Sequence, residues 1–225
     1  MDDETWSLVE DERRTLADLL EPLTPEQWSS PSLCAEWRIR DVAAHLGMTP
    51  GGAPSVATML RALLANRGRL WAAGRDVAVA YAAMPTAEIV AGLRRDAAAR
   101  TRPVFVVADN ILPDLVIHGQ DIAVPLQITR PVPAAAGRLA LARIWSMGWP
   151  FHARRRLDGV SLRADDCDWT AGNGPELLGS AGHLLLLMTG RVGAVERVRG
   201  PGADVVGRRV ARDQPVRPPA EGAHP

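Results

Sequence analysis

In Asp114-Leu115-Val116-Ile117-His118 a carboxylate and an imidazole stand four residues apart, in a segment otherwise patterned as a helix. Positions i and i+4 share one helix face, one turn apart. Ligands of these two types at that spacing can hold one divalent cation between them. A third candidate, His45, lies far upstream in Asp41-Val42-Ala43-Ala44-His45-Leu46, on another apolar helix. Two histidines and one carboxylate on two helices make a three-ligand site with open positions. Catalytic metal sites have that form, whereas structural ones close at four ligands.

Each residue also has a plainer reading. His45 alone reads as a core histidine bonded to a backbone carbonyl, although its two ring nitrogens both need partners and a cation would satisfy one. Asp114 and His118 alone read as a surface pair worth a few tenths of a kcal/mol. Asp121 follows His118 by three residues, and either accepts a bond from that imidazole or simply stands near the helix end. Cys34, between Trp28 and Trp37, reads as a packing residue rather than a nucleophile. Arg154-Arg155-Arg156 reads as a solvated turn, with an anion patch the less favoured alternative.

The elements that must position these groups follow from the hydrophobic spacing. Residues 4–21 carry Trp6, Val9, Arg13, Leu16, Leu19 and Leu20 at helical intervals. Thr24-Pro25-Glu26-Gln27 is a capping box with proline at the first helical position, and predicts a short helix. Trp37 to Leu46 reads as the helix carrying His45. Ser55 caps a helix expected to run to about Trp71, and Thr86 opens another with Ile89, Val90 and Leu93 inside. Asp109 or Asn110 caps the helix of Asp114 and His118. Pro113 falls in its first turn, where no hydrogen bond is lost, and the helix ends before Pro125. Beyond Pro131 the pattern mixes: a helix over 134–148, short strands around Gly159–Ala164 and Asp168–Thr170, a loop at Gly172–Pro175, and a helix from Ser180 to Arg191. The organisation expected is a helical bundle over 4–126, a small α+β domain over 131–211 and a disordered tail over 212–225.

Composition narrows the partners. The 225 residues carry 26 acidic and 26 basic groups, every basic one an arginine, so no net field draws the chain to nucleic acid or anionic membrane. Two cysteines are too few for a disulfide framework or a cysteine-based zinc site. The acidic start Met1-Asp2-Asp3-Glu4 is unlike a leader peptide, and no apolar run approaches a membrane span, so a cytoplasmic location is expected.

The assembled motifs resemble a known family. Trp6 with Glu12-Arg13, Leu23-Thr24-Pro25-Glu26-Gln27-Trp28, Ser32-Leu33-Cys34 with Trp37, and Asp41-Val42-Ala43-Ala44-His45-Leu46 look like the metal-binding domain of mycothiol-dependent maleylpyruvate isomerase-like proteins. Asp114, His118-Gly119-Gln120-Asp121-Ile122-Ala123 and Pro125-Leu126 continue the likeness. So do Leu162, Ala164, Asp166, Asp168-Trp169, Gly172, Gly174-Pro175-Glu176 and Thr189-Gly190-Arg191, so that it spans roughly residues 4–210. The resemblance implies a mainly α fold: a DinB-like up-and-down four-helix bundle followed by a small α+β C-terminal domain. It places the metal ligands on His45, Asp114 and His118, holding Zn²⁺ or a similar divalent ion. Where this chain has Asp114 the family's pattern has glutamate, one methylene longer. It places an arginine needed for activity on Arg191, while His152, His183 and His224 match no ligand position.

The implied activity is that of a metal-dependent isomerase or thiol transferase, with mycothiol as cosubstrate and a small electrophile as substrate. The metal-held thiol would be deprotonated and add to an electrophilic carbon. Two other classes stay open: a metal-dependent hydrolase, and a non-catalytic metal-binding bundle acting as a sensor or interaction module. No nucleic-acid or membrane partner is expected.

Overall fold

The computed structural model describes residues 1–48, 55–101 and 107–213. The first helix, α1 (Asp3–Leu20), starts at Asp2, whose carboxylate accepts the Thr5 N–H at 2.8 Å. Asp3 and Glu4 in its first turn suit the positive end of the helix dipole. Its inner face buries Val9, Leu16, Ala17 and Leu20, and also the charged Glu12 and Arg13. Next, α2 (Pro25–Ser29) is closed by the expected capping box: Gln27 N–H reaches Thr24 Oγ1 at 3.3 Å, and Thr24 N–H reaches Gln27 Oε1 at 2.9 Å. A short bridge between Pro31 and Arg38 then turns the chain into α3 (Ile39–Gly47).

The helix expected from Ser55 to about Trp71 ends at Ala65, as α4 (Val56–Ala65), and a second helix, α5 (Leu70–Tyr81), follows over residues mostly without an expected element. Between them Arg67 and Gly68 take positive φ of 52° and 78°, and Gly68 N–H closes on Leu63 O at 2.9 Å. Only the glycine adopts that conformation without steric cost, so Gly68 is where the chain reverses. The break falls on Asn66-Arg67-Gly68-Arg69, four residues without an apolar side chain. Then come α6 (Thr86–Arg95), burying Ile89, Val90 and Leu93 as expected, and α7 (Ile111–Ala123), preceded by a single 3₁₀ turn over Ala108–Asn110.

Helices α1, α3, α6 and α7 form the bundle. Both α1 and α3 pack against α6 and against α7, while α5 lies on α3 and α4 on α5. The C-terminal part adds α8 (Ala134–Ser146), the short α9 (Ala153–Arg156), β1 (Ser161–Ala164), β2 (Thr170–Gly172), β3 (Glu176–Gly179), α10 (Ala181–Met188) and α11 (Pro201–Asp213). The sheet order is β2-β1-β3, antiparallel on one side of β1 and parallel on the other.

In the C-terminal part three features depart from expectation. The arginine run at 154–156 is helical rather than a turn, β3 is an additional strand, and α11 occupies a stretch with no predicted element. The tail expected over 212–225 falls outside the described residues beyond Asp213, and Arg212 and Asp213 themselves close α11. The leucines of α10 are buried all round because α7, α8 and β1 surround that helix. One apolar cluster runs from Val9 to Val206 through both the bundle and the C-terminal part.

Candidate functional site

Where α3 packs against α7, the last turn of α3 presents His45 and the first two turns of α7 present Asp114 and His118. His45 Nε2 lies 3.2 Å from Asp114 Oδ2, and His118 Nε2 lies 3.5 Å from Asp114 Oδ1. One donor atom from each of the three residues falls within 4.8 Å of the others. Thus the three groups singled out in the sequence, with His45 and Asp114 69 residues apart, converge on one point. The side chains are 30% (His45), 40% (Asp114) and 12% (His118) exposed, so the point is reachable from solvent on the Asp114 side. Burial works against the charge on Asp114, but the adjacent His45 and His118 imidazoles, with Arg191 further out, hold its carboxyl below the usual range.

Four further residues surround the three. Trp37, just ahead of α3, stacks on His118 at 5.9 Å and 17° and sits tilted against His45 at 5.2 Å. Its ring packs against both imidazoles. Asp121 is fully buried and accepts from His118 Nδ1 at 2.8 Å. Arg191, in the turn after α10, grips the same carboxylate through Nε at 3.0 Å and Nη2 at 2.6 Å, and donates Nη1 to Thr189 O at 3.3 Å. Cys34 forms a second compact group with His118 and Asp121, and burial pushes its thiol up to about 11. A thiol so disfavoured as thiolate is a poor nucleophile, which agrees with the packing reading.

Sequence reasoning left Asp121 open and did not single out Trp37 for the site. The signal for Asp121 was its i+3 spacing from His118, ambiguous until the inward direction of that face is known. Trp37 carried no signal beyond its nearness to the His45 helix. Of the other histidines, His183 bonds Ser180 at its helix start, Nδ1 to Oγ at 3.0 Å, and His152 sits in left-handed backbone ahead of α9; His224 lies outside the described residues.

Comparison with known proteins bears on the fold. Residues 9–104 match the family model described as the mycothiol maleylpyruvate isomerase N-terminal domain. The N-terminal helical region is thus similar to this domain family, in agreement with the motifs. The match includes His45 and stops before Asp114 and His118. Among solved structures, a histidine-to-alanine mutant of the mycothiol-dependent maleylpyruvate isomerase aligns with a TM-score of 0.55 at 16% identity, covering 89% of this chain and 93% of that one. The unmutated isomerase aligns over the same shares at 15% identity with a TM-score of 0.48. The first of these alignments establishes a shared fold across bundle and C-terminal part alike. No curated protein matches the sequence. Among the described residues, no single helix is long and apolar enough to cross a membrane.

Proposed function

We propose that this protein is a divalent-metal-dependent enzyme that uses a low-molecular-weight thiol, mycothiol by family, to transfer to or isomerise a small electrophile. The observation that carries the reading is the meeting of His45, Asp114 and His118. Two ligands held about 2.1 Å from a tetrahedral zinc ion stand ~3.4 Å apart. The separations of 3.2 Å from His45 to Asp114 Oδ2 and 3.5 Å from His118 to Asp114 Oδ1 are close to that spacing, and one donor atom from each residue lies within 4.8 Å of the others. Two neutral imidazoles and one carboxylate are also the donor set that zinc accepts, and they leave coordination positions free for a substrate atom. Asp114, one methylene shorter than the family's glutamate, still brings its carboxylate against both imidazoles.

A cation bound there would supply Lewis acidity and favour the thiolate form of a coordinated thiol. The chain's own contribution is placement. Asp114 brings one negative charge to offset the cation. Trp37 flanks His45 and His118 and limits how far either ring can turn. Arg191 brings a positive charge near the site from the C-terminal part. The family match and the shared fold support the thiol; the donor set supports the metal.

The test is metal analysis of purified protein, followed by calorimetry of the metal-loaded protein with mycothiol. About one equivalent of zinc or a similar divalent ion and saturable thiol binding are expected. Metal without thiol binding, coupled to water-dependent cleavage of a conjugate, would transfer the site to the hydrolase class. Metal with neither thiol binding nor turnover would leave a metal-binding module.

A further inference from the structure

The direction of each hydrogen bond around Asp121 can be worked out from its partners. Asp121 is 0% exposed, so no water competes for its carboxylate. Arg191 donates to both of its oxygens, at 3.0 Å to Oδ1 and 2.6 Å to Oδ2, and a guanidinium has no acceptor to offer. A carboxylate held that way is ionised and can only accept. The contact of 2.8 Å between His118 Nδ1 and Asp121 Oδ2 must therefore be an N–H donated by the imidazole. An imidazole that ligates a cation is neutral and has one N–H, so the lone pair of His118 as a ligand is on Nε2, the nitrogen facing Asp114 at 3.5 Å. Two acceptors face each other there, and a cation between them would satisfy both.

Resting on the metal reading above, we propose that Asp121 is the positioning residue of the site. It locks His118 in the Nδ1–H form and aims Nε2 at the cation, and Arg191 holds Asp121 in place from the C-terminal part. Arg191 thereby acts through Asp121 and His118 rather than by meeting substrate: Nε and Nη2 go to Asp121 and Nη1 to the Thr189 carbonyl. The Leu33 N–H bonds the Asp121 main-chain oxygen at 3.1 Å, tying this point of α7 to the loop that leads to Trp37. Outer partners of this kind set the tautomer and orientation of a ligand histidine, and losing one weakens metal affinity 10–100-fold as a rough range.

The experiment uses the full chain. Nitrogen-15 NMR of the metal-free protein at mildly alkaline pH reads which nitrogen of His118 is protonated. Cobalt titration then gives the affinity. In the wild type, His118 is expected to be protonated at Nδ1 only. The double variant Asp121→Leu/Arg191→Met removes both charges together, so no buried charge is stranded. It should show mixed His118 tautomers and cobalt binding weaker by roughly 10–100-fold. Asp121→Asn, which keeps the volume, serves for the same measurements if the double variant does not fold. A wild-type His118 protonated at Nε2, or variants retaining both the single tautomer and full cobalt affinity, would overturn the role of Asp121 and leave the metal reading standing. A wild type that binds no cobalt would instead overturn the metal reading and this role with it.

Discussion

Gly119 stands beside His118 on α7, and replacing it with alanine sets two effects of opposite sign against each other. In a helix interior alanine is favoured over glycine by about 1 kcal/mol, so propensity alone predicts a more stable protein. Packing predicts the reverse. A Cβ on residue 119 would lie 2.7 Å from Arg130 Nη1 and 2.8 Å from its Cζ. An arginine tip on the surface would move aside at little cost, but this one is held. Arg130 Nη2 bonds Glu12 Oε2 at 2.6 Å, with the two side chains only 6% and 3% exposed. Pushing the guanidinium away strands a buried carboxylate, which costs about 3–5 kcal/mol. Subtracting the propensity gain leaves a net destabilisation of about 2–4 kcal/mol for Gly119→Ala. Urea denaturation followed by circular dichroism measures it. In the background Glu12→Leu/Arg130→Met the ion pair is gone, and the same substitution should be neutral or stabilising. The pair of measurements forms a cycle that isolates the clash. If Gly119→Ala costs less than about 1 kcal/mol in the native background, the guanidinium is not held as argued and the reasoning fails.

Other consequences can be checked separately. His118→Ala should abolish stoichiometric metal while far-UV circular dichroism stays near wild type, because the bundle has its own apolar core; unfolding on adding a chelator would recast the metal as structural. Asp114→Asn should weaken metal binding, by titration, more than Asp114→Glu, since only the former loses the charge. Arg191→Ala leaves the fully buried Asp121 without its cation, and denaturant unfolding should show a loss of about 3–5 kcal/mol. With Cys34 replaced by serine, alkylation of folded protein at mildly alkaline pH reports Cys167. Burial and the neighbouring aspartates raise that thiol from 9.0 to about 11, so its alkylation should be about 100-fold slower than for the unfolded chain, rising with pH until about 11.

Much of the helical architecture is local in origin and could be read from the chain alone. The Thr24–Gln27 capping box, the inward Ile89, Val90 and Leu93, and the placing of Asp114 and His118 one turn apart follow from 3.6-residue periodicity and cap chemistry. The spacing of Asp114 and His118 made them a pair before any tertiary contact was known. Where local signals are weak the sequence is silent: α5 is rich in alanine with a weak apolar stripe, and β3, Glu176-Leu177-Leu178-Gly179, has no β-branched or aromatic residue to mark a strand. The packing of α3 against α7, which swings His45 to within 3.2 Å of Asp114, is a long-range event that no local period encodes. The same holds for Asp121. Its sequence neighbours allow a solvated carboxylate or a buried one; only when Arg191 arrives from the C-terminal part, 70 residues on, is the carboxylate paired and its bond to His118 given a direction. Helix faces and caps are set by neighbours a few residues away, whereas the burial and pairing of a charge depend on which distant segments exclude water from it.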